Sequence, residues 1–385
     1  MIYREDKHGN KLSALGLGCM RFSMSKAETE RMISRAIEGG VNFFDTAYLY
    51  PGSEATLGEI LEKLDRRKDI YIATKLPIML CKAPDDFDKF FNEQLKRLKT
   101  DYIDYYFLHN ITDFNQFDAL RQIGIIQWIE EKKAKGEIKQ IGFSFHGVYS
   151  EFEKILDAYQ WEFTMIQYNY YAPNYQAGVK GLKLAAEKNI AVMIMEPLLG
   201  GQLATGLPKQ ASQIFSNANQ NRTPAEWAFS WLWNQPEVTV AVSGMGSEKI
   251  MDSNIKSIAN FKPLADSELS VYGEVSNIFR KLYKINCTNC NYCLPCPLGI
   301  NIPACLSAYN ASYIQGFKTG ITMYLTTTGV TRKKPLSPNI CNGCGKCEKA
   351  CPQGIKIRDE LKKVYRRLEP LPLRLILRGV RRILR

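Results

Sequence analysis

The sequence predicts an α/β fold, a (β/α)8 barrel followed by a small cysteine-rich domain. Three observations carry this prediction. Apolar runs of strand length alternate with helical patterns eight times over roughly the first 260 residues, the count and size of a closed barrel. Cys19 and Cys81 alone precede residue 286, whereas the other nine of 11 cysteines lie between Cys287 and Cys351, which marks a change of domain near Lys284. Polar residues also recur at the C-terminal ends of the predicted strands, where a barrel carries its reacting groups.

Taken in order, the first strand lies within residues 14–22, ALGLGCMRF, and leads into a helix over 25–40. The second, in NFFDTA, is an apolar run covered on both faces; Pro51-Gly52 then turns the chain into SEATLGEILEKL, an amphipathic helix with Ser53 as its predicted cap. IYIATKL precedes a helix over 84–100, YIDYYFLH a helix over 116–137, and IKQIGFSF a helix over 149–159. FTMIQYNY, AVMIMEPL and VTVAVSG complete the set, each followed by a further helical pattern. Every crossover is long enough to join parallel neighbours. An open doubly wound sheet is the weaker alternative, because no GxGxxG follows the first strand.

The formal charge is +12, yet from Lys356 onward eleven basic and three acidic side chains leave a surplus of eight, so the rest carries about +4 and shows no polyanion-binding signature. Nucleic acid is therefore not an expected partner. No apolar stretch approaches the roughly 18 residues of a spanning helix, and no signal peptide is apparent, so the expected location is the cytoplasm.

Three strand ends supply the candidate chemistry. The second gives Asp45 and, in its loop, Tyr50; the third ends in Lys75; the fourth ends in His109. Taken singly, a lysine at a strand end is usually solvated and a lone histidine usually structural. Together they make chemical sense: an Asp-paired ammonium beside a phenol stabilises the phenolate, and the imidazole hydrogen-bonds the same substrate oxygen.

With these residues in place, the chain resembles the aldo/keto reductase family over roughly residues 1–260. The matching pieces are FDTAxxY at 44–50, the lysine of ATKLP, IDYYFLH, the GFS of strand five, Gln167 in IQYNY, EPLLGG, and SGMGSEKIMDSN. The resemblance implies carbonyl reduction by hydride transfer from NAD(P)H lying across the barrel mouth. It makes Tyr50 the proton donor, Lys75 and Asp45 its tuning pair, and His109 the carbonyl-orienting group. It also assigns nicotinamide contacts to Ser144, Gln167 and Met195, and nucleotide-loop contacts to Gly244, Ser247, Lys249 and Asn254. Several of these depart from the family pattern. Phe145 stands where many members have asparagine, Met195 where many stack an aromatic ring, and Ser253 where a glutamate is usual. No arginine lies between Gly244 and Asn254, so a 2′-phosphate would fall to Ser247 or Lys249.

Two cysteine runs follow. CNGCGKCEKACP is Cys-x2-Cys-x2-Cys-x3-Cys-Pro, the ligand spacing of bacterial-type [4Fe–4S] sites, and CTNCNYCLPCP is one residue shorter before its fourth cysteine. Structural zinc prefers separated cysteine pairs, and a disulfide framework belongs to secreted chains; both fit poorly. Eight thiolates match two cubane clusters. By resemblance to two-cluster ferredoxins, Cys287, Cys290, Cys293 and Cys351 hold one, and Cys341, Cys344, Cys347 and Cys296 the other. Cys305, Cys19 and Cys81 read as packing.

The expected organisation is thus a barrel over 1–262, a connecting helix over 263–284, a dicluster ferredoxin-like domain over 285–358 and a basic tail over 359–385. The whole is similar to the ferredoxin-fused branch of the aldo/keto reductases. The leading expectation is an oxidoreductase acting on a small carbonyl or alcohol, with the clusters exchanging electrons with a ferredoxin-like partner. The alternatives are nicotinamide-dependent carbonyl reduction with structural or redox-sensing clusters, and a non-catalytic electron-transfer protein. In the tail, LPLRLILRGVRRILR places arginines on one helical face and Leu, Ile and Val on the other, a pattern for docking on the cluster domain or lying on an anionic membrane surface.

Overall fold

In the computed structural model, which describes residues 1–22, 25–329 and 335–374, the chain enters through an antiparallel hairpin of β1 (Tyr3–Glu5) and β2 (Lys11–Ser13). Strands of three residues carry no readable period, so nothing local announces them. The hairpin belongs to the end of the barrel away from the reacting face. There Asp6 Oδ2 accepts from Tyr105 OH and Gln140 Nε2, each at 2.6 Å.

Eight parallel strands then close on themselves in sequence order: β3 (Leu15–Gly18), β4 (Phe43–Asp45), β5 (Tyr71–Leu76), β6 (Ile103–Ile111), β7 (Ile138–Phe145), β8 (Phe163–Gln167), β9 (Ala191–Met195) and β10 (Val238–Ser243), which returns to β3. Phe43, Tyr105, Phe107, Phe163, Met165, Met193 and Val240 fill the interior, a packed core rather than a channel. The register sets the site. Asp45 pairs with Ala73, and Lys75 with Phe107, two residues before His109, so these strand ends meet at one rim.

Two predicted helix features differ. Ser53 is not the cap of its helix: Gly52, at φ +72°, takes that position, and Ser53 instead begins the helix Ser53–Leu64, buried, with its hydroxyl donating to Cys19 O at 2.9 Å. A left-handed residue is needed to leave the Tyr50 loop, and glycine adopts it without Cβ strain. The helix expected over 116–137 breaks into Phe114–Gln122 and Ile125–Ala134 around Gly124.

The described chain divides into two compact units, Met1–Pro197 with Glu226–Ala265, and Leu198–Ala225 with Asp266–Arg385. The second therefore contains the long loop that follows β9. Its helix Lys209–Ala218 packs on helix Asp266–Leu282 through Phe215 and Tyr272 (ring centroids 5.5 Å apart), and Arg222, in the loop beyond it, pairs with Glu268 at 2.9 Å. Beyond Ile285 the described residues of this unit form helices and no strand. Helices Ile302–Ile314, Phe317–Thr328 and Ile357–Leu368 bury Cys305, Leu306, Tyr324, Leu361 and Val364 around the cysteine runs. Most of the predicted tail helix, residues 375–385, lies outside the described residues.

Candidate functional site

At the rim of the first unit, Lys75 Nζ donates to Asp45 Oδ1 and to Thr46 O, each at 2.5 Å, and both charged side chains are buried. Burial pushes the Asp45 carboxyl above its ordinary range, and the ammonium partly opposes that shift. The Lys75 ammonium also stands 5.2 Å from the centre of the Tyr50 ring, whose edge meets His109 at a centroid distance of 6.1 Å. His109 is held well below the usual imidazole range, by burial first and then by Lys75 and His146, so it is a neutral ring near pH 7. Behind Lys75, Gln94 Nε2 donates to Lys75 O at 3.1 Å and to buried Glu54 at 2.7 Å, and Arg97 pairs with that glutamate at 3.1 Å. A satisfied polar layer of this kind fixes the strand end that carries the ammonium.

The groups assigned to nicotinamide lie on the same rim. Ser144 Oγ accepts from Asn110 N at 2.8 Å, and Gln167 pairs across the sheet with Met195. After Met195, Glu196 takes φ +58°, with its carbonyl held by Asn169 Nδ2 at 3.1 Å. Gly244 follows β10 directly and is exposed. Ser247 Oγ caps helix Glu248–Ala259 by accepting from Ile250 N, Lys249 is exposed, and buried Asn254 donates to Ser243 Oγ at 3.3 Å. Tertiary structure adds cations here that no local motif reveals: Arg31 reaches Glu248 at 2.7 Å and Arg35 reaches Glu248 and Asp252, all from the first barrel helix.

Four further tyrosines in or near the strand-end loops differ in placement. Tyr48 turns away to donate to Glu93 and lie under Arg97, and Tyr149 sits on an outer helix beside Glu153, whereas Tyr170 and Tyr171 are buried after β8. Asn110 and His146 were not among the candidate residues. The readable signal for His146 is alternation: Ser144 faces the mouth, Phe145 packs outward on Phe152, and His146 faces inward again.

In the second unit the cysteines fall into two sets. Cys287, Cys290, Cys293 and Cys351 line one cavity, and the Cys293 thiol is pushed up to about 12 by burial and then by the three others. Cys296, Cys341, Cys344 and Cys347 line another, which Cys293 also borders. Among the described residues no three His, Cys, Asp or Glu side chains converge on a point for a single metal ion; the sulfurs surround space instead. All-cysteine donor sets of four, with mutual repulsion that bound iron would relieve, fit cluster ligation. Cys305 stands apart in the core, its thiol raised to about 12 chiefly by burial. Cys19 is likewise buried.

Residues 14–276 match the aldo/keto reductase family, more than half of the chain. The chain belongs to the aldo/keto reductase family. Residues 286–357 match a 4Fe-4S dicluster domain, so an iron–sulfur domain follows the reductase barrel in the chain. Similar proteins include an uncharacterized oxidoreductase, YqkF, of Bacillus subtilis, 28% identical and covering 67% of this chain and 90% of its own length. Aldo-keto reductase yakc [NADP(+)] of Schizosaccharomyces pombe is 23% identical (64% and 84% covered), and L-galactose dehydrogenase of Arabidopsis thaliana is 26% identical (66% and 87%). Among solved structures, aldo-keto reductase AKR11C1 from Bacillus halodurans in its holo form superposes with TM-score 0.60 at 24% identity, over 71% of this chain and 96% of that one, a likeness of fold.

Proposed function

We infer that this reductase interconverts a small carbonyl compound and its alcohol in the barrel, with two [4Fe–4S] clusters exchanging electrons with a one-electron partner such as a ferredoxin. The juxtaposition of Asp45, Lys75, Tyr50 and His109 at one strand-end rim carries the first half of this reading. Neutral His109 can donate to the carbonyl oxygen and orient it. Tyr50 then delivers the proton to that oxygen as negative charge develops, because an ammonium beside a phenol favours the phenolate left behind. Asp45 holds the Lys75 side chain in position. The residues that would hold a nicotinamide are Ser144, Gln167 and Met195 at the mouth and Gly244, Ser247, Lys249 and Asn254 in the nucleotide loop. When bound, the reduced nicotinamide supplies hydride to the carbonyl carbon.

Cys287, Cys290, Cys293 and Cys351 would ligate one cluster and Cys296, Cys341, Cys344 and Cys347 the other, supplying one-electron transfer. Each carbonyl reduced would consume one hydride and one proton, so two one-electron cluster steps, returning two electrons with a proton to the oxidised dinucleotide, would balance one turnover. The sequence of the tail from Leu373, which alternates Leu, Ile and Val with arginines at helical spacing, supports peripheral contact with an anionic membrane.

Anaerobic titration with NADH and NADPH, watching the cluster absorbance, tests the coupling. Bleaching at about one equivalent of dinucleotide per two clusters is expected. Unbleached clusters in a protein that still reduces aldehydes with NADPH would replace this reading by nicotinamide-dependent reduction with structural or sensing clusters.

A further inference from the structure

The bulge at the end of β6 and the loop after β7 hold two polar side chains that the reaction above does not use. Asn110 follows His109 at φ +62°, a left-handed conformation that asparagine tolerates better than most residues and that tends to mark functional sites. Its backbone N–H is held by Ser144 Oγ at 2.8 Å. Its side-chain Oδ1 is buried and accepts no hydrogen bond among the described residues, an acceptor whose lost hydration a ligand donor would restore.

His146 is anchored beside it. Its backbone N–H donates to Ile111 O at 2.9 Å, across the strand pair that carries Asn110. Gln176 Nε2 meets His146 Nδ1 at 3.4 Å; with the amide nitrogen as donor, the ring proton sits on Nε2. Burial holds the imidazole down to about 4, so the ring is neutral, and its influence on His109 makes the two histidines electrostatic neighbours.

The residues at this strand end thus supply one acceptor, Asn110 Oδ1, and, in that tautomer, one donor, His146 Nε2–H, neither charged. A hydroxyl both donates and accepts, and it matches this pair; a carboxylate or phosphate, which needs charged or multiple donors, does not. We propose that Asn110 and His146 form a subsite for a hydroxyl group on the carbon next to the reacting carbonyl, so that the enzyme selects uncharged hydroxy-aldehydes and hydroxy-ketones. The proposal rests on the reading that Tyr50 and His109 hold the reacting oxygen.

The test has a kinetic arm and a binding arm. The kinetic arm compares butanal with 2-hydroxybutanal for the full chain and for His146→Phe, His146→Gln and Asn110→Gly, the last keeping a residue at ease at positive φ. The ratio of kcat/KM for the hydroxy-aldehyde to that for butanal is expected to fall about 10-fold in His146→Phe and Asn110→Gly, as one lost hydrogen bond to a matched site predicts. His146→Gln, which still donates, should recover most of it. The binding arm measures affinity for 1,2-butanediol against 1-butanol by ligand-observed NMR, with dinucleotide affinity followed by fluorescence. The diol is expected to bind about 10-fold tighter, and only where both groups are intact. Equal affinities for diol and mono-alcohol in the wild type would overturn the proposal, as would an undiminished diol preference in His146→Phe or in Asn110→Gly. A weakened dinucleotide affinity would also overturn it, by assigning the pair to the cofactor. Should neither aldehyde turn over, the reading of the reaction fails while the diol measurement still decides the subsite.

Discussion

Lys75 Nζ lies 2.5 Å from Asp45 Oδ1 with both side chains buried, and this pair holds the ammonium 5.2 Å from the centre of the Tyr50 ring. Removing one member strands the other in the interior. Lys75→Met is therefore expected to lower unfolding free energy by about 3–5 kcal/mol, read from urea midpoints, and to reduce turnover. Lys75→Met, Asp45→Asn, which strands no charge at Asp45 and retains an acceptor, should cost less stability.

Tyr50→Phe keeps the ring contact with His109 while removing the proton. Turnover should fall about 10²-fold or more, with the cluster spectrum and the thermal midpoint close to wild type. Undiminished aldehyde reduction would remove Tyr50 from the proposed role.

His109 and His146 are both held below the ordinary imidazole value of about 6.5, His146 down to about 4, chiefly by burial. Between the folded and unfolded values the unfolded chain binds more protons, so their contribution is present above about pH 6.5 and is lost as pH falls toward the folded values. Urea midpoints should drop between pH 7.5 and 5. The drop should be smaller in His109→Asn and in His146→Asn, and an identical drop in both variants would contradict the assignment.

The grouping of Cys351 with Cys287, Cys290 and Cys293 makes a crossed-ligand prediction. The anaerobic wild type should be brown with about eight iron and eight sulfide. Cys351→Ser and Cys290→Ser should each leave about four iron and the same residual EPR signal, distinct from the signal left by Cys296→Ser and Cys344→Ser. Matching signals for Cys351→Ser and Cys344→Ser would show that the runs do not cross.

Gly200 sits at φ +64°, and a Cβ there would come within 2.2 Å of Thr288 O, the carbonyl between Cys287 and Cys290. Gly200→Ala should therefore displace this backbone contact and cost about 1–3 kcal/mol of local strain. Faster iron loss to a chelator than in wild type is the expected readout, and wild-type kinetics would show that the contact does not support the first cysteine run.

The tail can be tested by flotation with anionic liposomes, comparing the full chain with one truncated after Glu369. That residue is a sound cut point, since its side chain accepts from Tyr324 and Ser337 and ties the preceding helix into its unit. Flotation of the full chain alone at low salt is expected, and equal recovery in the soluble fraction would leave no role for a membrane.

Much of the rim was legible because strand ends are legible. The apolar runs before Asp45, Lys75 and His109 identify buried parallel strands, and polarity at their C-terminal ends then identifies the reacting face. The preference of serine for a cap position is local, whereas the partner that Ser53 takes, Cys19 O, is 34 residues away, so the cap passes to Gly52. Tyr48 lies two residues before Tyr50, yet its hydroxyl donates to Glu93 and its ring lies under Arg97, both on the next helix, contacts that no local interval in the chain shows.

The sequence alone determined the eight-fold alternation, the strand ends that carry Asp45, Lys75 and His109, and the ligand spacing of the two cysteine runs, because each depends on a period or interval of a few residues. Tertiary structure alone decided that Leu198–Ala225 belongs to the C-terminal unit, and that His146 is pinned by its backbone to the end of the strand that carries His109 and Asn110. These relations join residues tens of positions apart through backbone hydrogen bonds and packing, and contacts of that range leave no interval in the chain from which they could be read.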